Sequence, residues 1–253
     1  MRAIADTWNL TLRALREAIR QPALEVTNVF IPIFFFAVTV GAIGHSAARA
    51  FGVENYTGFQ MPVAVLQAVA GAAGTAGLGT VTDIERGYFD KLMLTPAPRM
   101  SIALGRLASD GIRTMVLSLL ILVAGLVSGS GMATGPLGVV VLLLMSGAFG
   151  LAYSGIGLAI ALRTGSAQAA QVGFLLFFPL LFLSPAFAPK EFFAPWLEFL
   201  ATINPVTYII EGMRDLVLVG WDFKSLALAF ASIVGLGTFT MSLVVWGLRG
   251  RTA

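Results

Sequence analysis

The chain contains no cysteine, a single histidine and few charged residues, and each shortage excludes a class of protein. Without cysteine there are no disulfides and no thiolate metal sites, and His45 alone cannot form a histidine-based metal cluster. Only 11% of the 253 residues are charged, against about 25% in typical soluble domains. So few charges cannot cover a soluble globule. The low charge and the 19 phenylalanines also exclude a disordered chain.

Motifs for catalysis and nucleotide binding are also missing. The sequence has no GxxxxGK[ST] phosphate loop, no HExxH, no GxSxG and no buried chain of Asp, Glu and His of the kind that proton-driven transporters use. The glycine-rich run 71–79 falls inside an apolar stretch, where it cannot cradle phosphate, and we expect it to allow close helix packing. Any energy source for transport is therefore expected on another chain.

Long apolar runs are what the sequence has instead, and they predict membrane-spanning helices. The expected spans, in chain order, are 23–44, 57–82, 102–128, 136–162, 166–188 and 225–248. We therefore predict an all-α integral membrane protein with six transmembrane helices, in which residues 1–253 form a single transmembrane domain.

The placement of lysine and arginine predicts how these spans are oriented. With the N-terminus inside, eleven of the 16 basic residues are cytoplasmic, Arg113 lies within a span, and the four outside are Arg49, Lys190, Arg214 and Lys224. We therefore expect a multi-pass protein of the cytoplasmic membrane with both termini in the cytoplasm. The net charge of +3 is too small to indicate a nucleic-acid partner.

Two further segments are expected at the membrane surfaces. Within 1–22, helical spacing puts Ile4, Trp8, Leu12, Leu15 and Ile19 on one side, opposite Arg2, Arg13, Arg16 and Arg20. This pattern predicts an amphipathic helix in the inner interface, with its arginines facing lipid phosphates. Residues 190–220 are too apolar for an ordinary loop and too interrupted by charge to span, so we predict external re-entrant or interfacial helices there.

The cytoplasmic loop between the second and third spans is the most informative segment. Its mixed charges lead into the sequence TPAP at 95–98, which ends a helix because proline cannot continue one. We predict a short helix within 84–95 whose apolar side consists of Tyr88, Phe89, Leu92 and Met93. A solvated loop would not need these side chains, whereas a helix that docks on a cytoplasmic partner would.

Two motifs carry a resemblance to a known family. The loop reads Glu85-Arg86-Gly87, Asp90, Leu92, Thr95-Pro96 and Arg99, and the external segment reads Asn204-Pro205-Val206-Thr207-Tyr208 with Glu211 and Arg214. In these motifs and in the order of its segments, the whole chain resembles the membrane subunit of type-2 ABC exporters. Gly105-Arg106, Asp110 and Arg113 resemble the daunorubicin-exporter branch.

The resemblance implies a non-catalytic permease that exports an amphipathic or hydrophobic compound, drug-like or lipid-like. It implies two copies of an ATP-binding subunit, which would hold the ATP and magnesium, and a second permease subunit, identical or related. The 84–95 helix would be the coupling helix in a groove of that ATPase, formed by Glu85, Arg86, Gly87, Tyr88, Phe89, Asp90, Leu92, Thr95, Pro96 and Arg99. The external gate motif would comprise Asn204, Pro205, Tyr208, Glu211 and Arg214.

Polar groups inside the spans allow two interpretations each. Asp110 and Arg113 are three residues apart on one helix and can pair, either to hold the bundle together or to relay movement from the coupling helix to the pore. Gln67 and the group Gln171, Phe174 and Phe178 either pack against helices and lipid or line the translocation path.

The external segment also contains charges close together in the sequence. We expect Glu211, Arg214 and Asp215 to pair with one another locally.

Two other classes of function can be compared with the sequence. An ATP-independent channel or secondary carrier is the alternative function, and it would lack a docking helix and carry titratable groups inside the membrane. A membrane-bound enzyme would need a nucleophile or metal set that the sequence does not contain.

Overall fold

A computed structural model describes residues 2–74, 76–95 and 97–249, and within these ranges the chain is helical with no strand. The first five helices are α1 (Arg2–Ile19), α2 (Pro22–Phe51), α3 (Tyr56–Gly74), α4 (Ala76–Glu85) and α5 (Tyr88–Met93). The next five are α6 (Arg99–Val127), α7 (Gly135–Thr164), α8 (Ala167–Ala170), α9 (Val172–Leu175) and α10 (Phe177–Phe182). A 3-10 turn (Lys190–Phe192) precedes α11 (Pro195–Ile203), α12 (Pro205–Leu218) and α13 (Phe223–Arg249).

Five helical stretches in the described part of the chain are long and apolar enough to cross a membrane. They are α2, α3 together with α4, α6, α7 and α13, each 27 to 30 residues long. Each overlaps nearly the whole of one predicted span, and the bounds differ most at the end of α2, which continues to Phe51. The prediction of an all-helical integral membrane protein is thereby confirmed.

The remaining predicted span, 166–188, differs from the expectation because it is not one continuous helix. It is divided into α8, α9 and α10. At the first break the amide of Phe174 donates to the carbonyl of Gln171, only three residues back, which is a tighter 3-10 connection. Pro179 removes a further backbone donor. The last piece ends at Phe182, and the following residues lead into Pro185, whose ring disfavours a helical conformation for the residue before it.

The helix α3 forms the centre of the bundle. Its side chains are almost all buried, and α2, α6, α7 and α12 pack around it. By contrast α2 and α13 lie at the periphery, and their apolar side chains are largely exposed, as at Phe30, Phe34 and Phe239. Aromatic surface of this extent is compatible with lipid rather than water around the bundle.

Close packing between α3, α4 and their neighbours depends on glycine. A Cβ on Gly77 would lie 2.5 Å from the carbonyl oxygen of Gly157 on α7, and a Cβ on Gly74 would lie 2.5 Å from the Cβ of Phe174. Neither site has room for a side chain, so the backbones approach directly. The interpretation of the glycine-rich run as a packing device is confirmed.

The helix α1 packs along the beginning of α6. A Cβ on Gly105 would lie 2.7 Å from the Cβ of Leu10, and the Ser101 hydroxyl donates to the carbonyl of Ala3 at 3.3 Å. This contact leaves Ile4, Trp8 and Ile19 exposed, in agreement with the amphipathic pattern. Below, the end of the bundle that carries α1 and α5 is called the α5 end, and the opposite end, which carries α11 and α12, is called the α12 end.

The Gly77–Gly157 contact leads to a first prediction. Replacing Gly77 with alanine should destabilise the protein by about 1–3 kcal/mol, since the added methyl group collides with backbone that cannot rotate away. Gly41→Ala is the matched control, because a Cβ there meets nothing within 4 Å. Thermal unfolding of the two variants in detergent measures the difference, and equal melting temperatures would contradict the close approach.

Candidate functional site

The α5 end is built around Asp83, which lies close to two arginines. Arg13 Nη2 lies 2.6 Å from Asp83 Oδ1, and Arg106 Nη1 lies 3.7 Å from Asp83 Oδ2 and 3.2 Å from Glu17 Oε2. Although burial disfavours its charge, the hydrogen-bonded carboxylate of Asp83 raises the pKa of Arg13 above its ordinary value. Thus α1, α4 and α6 are joined by one ionic network.

This network corrects the expected role of one arginine of α1. Arg16 and Arg20 are exposed, as expected for residues that face lipid phosphates. Arg13 instead turns towards the protein, where its guanidinium carbon lies 3.9 Å from the centre of the Tyr88 ring. A cation over an aromatic face is attracted to it, so Arg13 connects α1 with both α4 and α5.

The proposed coupling helix is shorter than expected. Glu85 ends α4, and Gly87 has a φ of 66°, a left-handed turn that favours glycine, so α5 begins only at Tyr88. This backbone conformation explains why the loop motif has a glycine at position 87. Asp90, Thr95 and Arg99 are exposed near α5, as are Glu85 and Arg86, whereas Pro96 lies outside the described residues.

The apolar side chains of α5 do not share one free surface, contrary to expectation. Phe89 is only 4% exposed and packs in a cluster with Leu107, Leu158 and Leu248, on α6, α7 and α13. Leu92 and Met93 are half-buried, and Tyr88 is 36% exposed. Leu94, which helical spacing does not place on the predicted apolar side, is 87% exposed and is the most accessible apolar side chain among the described residues of the loop.

Arg113 has a partner that helical spacing alone did not reveal. Its Nε lies 2.6 Å from Oε1 of Glu25 on α2, whereas its Nη1 lies 3.7 Å from Oδ1 of Asp110. The expected pair is thus a group of three, in which the longer contact is the one within α6. One feature of the sequence indicates that Glu25 needs a partner: it is the single charge in the otherwise apolar run 23–44.

The four side chains expected to line a path fall into two neighbouring cavities. Gln67, Phe174 and Phe178 line a mainly apolar space of about 150 Å³ between α2, α3 and the broken α9–α10 segment, here called the aromatic cleft. Gln171 instead lines a space of about 400 Å³ at the α5 end, between α1, α2, α4, α6 and α8, here called the charged vestibule. Asp110 and Arg113 also line the vestibule.

The motif at the α12 end fixes the corner between α11 and α12. The Asn204 side chain accepts from the amide of Val206 at 3.0 Å, as a helix cap does, and donates to the carbonyl of Leu180 at 2.6 Å. Pro205 occupies the first turn of α12, where its missing amide hydrogen is not needed. The Tyr208 hydroxyl donates to the carbonyl of Thr202 at 2.6 Å. These contacts hold the corner and anchor it on the end of α10.

The charged residues of α12 are held differently from the expected local pairs. Glu211 lies 3.2 Å from the amine of Lys190. Arg214 is buried, donates to the carbonyls of Phe59 and Pro185 at 3.1 and 3.0 Å, and covers the Phe59 ring. The expected direct pairing of Glu211, Arg214 and Asp215 is therefore wrong for Glu211, whose ion pair is with Lys190, and for Arg214, which donates to backbone carbonyls. Arg214 instead joins α12 to the beginning of α3.

Comparison with known proteins places this arrangement among transport permeases. The sequence profile of the family described as "ABC-2 type transporter" matches residues 5–218. The daunorubicin resistance ABC transporter permease DrrB1 of Streptomyces coeruleorubidus is 26% identical over 252 residues, which cover 99% of this chain and 88% of the relative. The transport permease ycf38 of Cyanophora paradoxa is 29% identical, with 98% and 87% covered. The doxorubicin resistance permease DrrC of Mycobacterium tuberculosis is 24% identical, with 86% and 78% covered.

The Glu25–Arg113–Asp110 group leads to a second prediction. Arg113→Met should destabilise the protein by about 3–5 kcal/mol, because it leaves two carboxylates in a low-dielectric region without their cation. Adding Glu25→Gln to this variant should recover part of the loss, since one of the two charges is then removed. Thermal unfolding in detergent measures both effects.

The control for this prediction is Arg16→Met, which removes an exposed arginine from α1. It should change stability by less than about 0.5 kcal/mol. An Arg113→Met variant as stable as Arg16→Met, or a double variant less stable than Arg113→Met, would contradict the account of this group.

Proposed function

Because this chain belongs to the ABC-2 type transporter family, we propose that it is the permease subunit of an ATP-driven exporter. It moves an amphipathic or hydrophobic compound outward across the cytoplasmic membrane, and a separate subunit hydrolyses the ATP. Two observations support this function: the sequence has no phosphate-binding loop of its own, and two of the relatives named above are drug-resistance permeases. The α5 end then faces the cytoplasm, and the α12 end faces outward.

The observation that carries the proposal is the two-sided environment of α5. Phe89 is buried in the bundle, whereas Leu94, one residue beyond the end of the helix, is almost fully exposed. An exposed leucine beside a helix anchored in this way fits a docking contact, in which a partner covers the outer side. The partner is an ATP-binding subunit, present in two copies that serve two permease chains.

Movement of α5 reaches the bundle by two routes. Phe89 transmits it to α6, α7 and α13 through direct packing. Tyr88 transmits it to α1 through Arg13, and from there through Asp83 to Arg106 on α6. Because both routes consist of packing or ionic contacts, a push by the ATPase on α5 is passed to the helices that these contacts join, and it tilts them. The α11–α12 corner closes the exit on the outer side.

An ATP-independent carrier is the second candidate, and one observation favours it. The Glu25–Arg113–Asp110 group lies inside the helix bundle, where titratable residues commonly serve ion-driven transport. The two candidates differ in one measurable property: the exporter moves its substrate only with ATP and the second subunit, whereas the carrier needs neither.

The docking role of α5 gives a third prediction. Leu94→Asp should leave the permease inserted and folded but lower ATP-dependent transport by at least about tenfold, because a charge at the centre of an apolar contact costs more than 1.4 kcal/mol. Transport into inside-out vesicles containing both subunits measures this effect. ATP hydrolysis should continue without productive transport.

The matched control is Val219→Asp, which introduces the same charge at an exposed aliphatic residue of the opposite end. It should retain most of the transport activity. Unchanged transport in Leu94→Asp would argue against docking at α5, and transport that persists without ATP would favour the carrier.

A further inference from the structure

The helices α7 and α13 run in the same direction and end together at the α5 end. The Thr240 hydroxyl donates to the carbonyl of Ala152 at 2.7 Å, and a Cβ on Gly247 would lie 3.2 Å from the carbonyl oxygen of Ala159. A step of seven residues along α13 thus matches a step of seven along α7, as in two parallel helices. Their last turns therefore lie side by side.

These last turns carry positive charge without a carboxylate beside it in the sequence. Arg163 belongs to the last turn of α7, Arg249 ends α13, and both are exposed. The sequences of α7, α8, α9, α10 and α13 contain no Asp or Glu. The carboxyl ends of the two helix dipoles offset only about half a charge each. A positive surplus therefore remains at this surface.

The ring of Trp246 holds Arg163 in position. The guanidinium carbon of Arg163 lies 3.6 Å from the centre of the Trp246 ring, which attracts a cation to its face. Within the part of the chain that the structure describes, Arg163 makes no hydrogen bond and no ion pair. Its guanidinium has five N–H donors, and these are open to an acceptor from outside the chain.

An apolar surface leads from this ring along α13 towards the middle of the span. Trp246 is 56% exposed, and tryptophan is enriched where acyl chains meet headgroups. Phe239 lies two turns earlier on the same side of α13 and is also exposed. Arg249 lies one turn after Trp246. The order along α13 is therefore apolar, interfacial and then positive, which matches the order of groups in a phospholipid.

We propose that this surface binds an anionic phospholipid. Its phosphate accepts from Arg163, Arg249 adds positive charge, and one acyl chain follows Trp246 and Phe239. Basic pockets between transmembrane helices on the cytoplasmic side bind headgroups of this kind. A zwitterionic lipid carries the same phosphate, but its ammonium group is repelled by the positive surplus. The binding site does not depend on the proposed export function; only its assignment to the inner leaflet does.

The proposed lipid site adjoins the anchor of α5. Leu162 and Leu248, the sequence neighbours of Arg163 and Arg249, belong to the cluster that buries Phe89. A lipid that bridges the ends of α7 and α13 therefore also holds the surroundings of Phe89 together. Bound anionic lipid should for this reason raise the melting temperature of the chain more than bound zwitterionic lipid does.

Two phospholipids with the same acyl chains and different headgroups test the proposal. Dioleoyl phosphatidylglycerol or dioleoyl phosphatidylcholine is added to the full chain in neutral detergent, without ATP and without an ATPase subunit. Native mass spectrometry measures the lipid retained. We expect the phosphatidylglycerol to bind more tightly than the phosphatidylcholine. Arg163→Gln should weaken phosphatidylglycerol binding by about fivefold, the factor expected for one basic residue near an anionic headgroup.

Three further variants separate the site from general attraction to a positive chain. Lys224→Gln removes the same charge from the opposite end of α13 and should bind phosphatidylglycerol as the original chain does. Trp246→Leu should weaken binding, whereas Trp246→Phe should retain more of it, because phenylalanine keeps an aromatic face for Arg163. These two variants also carry the test if Arg163→Gln does not fold, which its melting temperature would show.

Two results would overturn the proposal. One is equal binding of the two lipids by the original chain. The other is an equal loss of phosphatidylglycerol binding in Lys224→Gln and Arg163→Gln, which would mean that only the net charge matters. Since no ATP is present, failure of ATP-driven export leaves both results unaffected.

Discussion

The structure depends on how α6 holds two arginines inside a largely apolar bundle. Arg106 and Arg113 are seven residues apart, two helical turns, so they project from the same side of α6. Each lies between two carboxylates, and these come from α1 and α4 for Arg106, and from α2 and α6 itself for Arg113. Because an unpaired charge at this depth is costly, these contacts fix where four helices lie relative to one another.

The glycine pattern of α4 follows from the same constraint. The guanidinium of Arg106 occupies the space that a Cβ on Gly79 would fill. Two turns earlier in α3, a Cβ on Gly71 would lie 3.0 Å from Oδ1 of Asn28 on α2, a tight contact rather than an overlap. The run of small residues therefore serves close backbone packing and, at Gly79, also leaves space for the side chain of Arg106. Ala76 and Gly79 of this run also line the vestibule.

Local sequence patterns predicted the elements of the fold better than the contacts between them. Five spans, the amphipathic α1 and the packing role of the glycines follow from hydropathy and periodicity, which are local properties. The division of 166–188 into three helices cannot be predicted in this way. Pro179 and Pro185 indicate that the segment bends, but they do not determine where the helix is interrupted. The role of Asn204 and Pro205 as the start of a helix could have been predicted from capping preferences alone.

The charged contacts show most clearly which features local sequence patterns do not predict. Helical spacing predicts that Asp110 and Arg113 pair because they are neighbours on one helix, yet Arg113 lies closer to Glu25, far away in the chain, than to Asp110. In the same way, the polar side of α1 predicts that Arg13 faces lipid phosphates, but its partner is Asp83. An amphipathic pattern shows which side of a helix is polar; it does not show whether lipid or protein lies there. Likewise Phe89 and Leu94 are both apolar, and only the position of α5 on the bundle makes one anchored and the other free.

The exposed Leu94 offers the most direct measurement of the central claim, because the chain has no cysteine of its own. A Leu94→Cys variant carries a single thiol, to which a photoreactive cross-linker can be attached in native membranes before irradiation and mass spectrometry of the adduct. The account predicts a cross-link to a soluble subunit with a phosphate-binding loop, at a yield that changes when ATP is added. A permease that forms no such adduct, and that moves its substrate in liposomes without ATP, would contradict it.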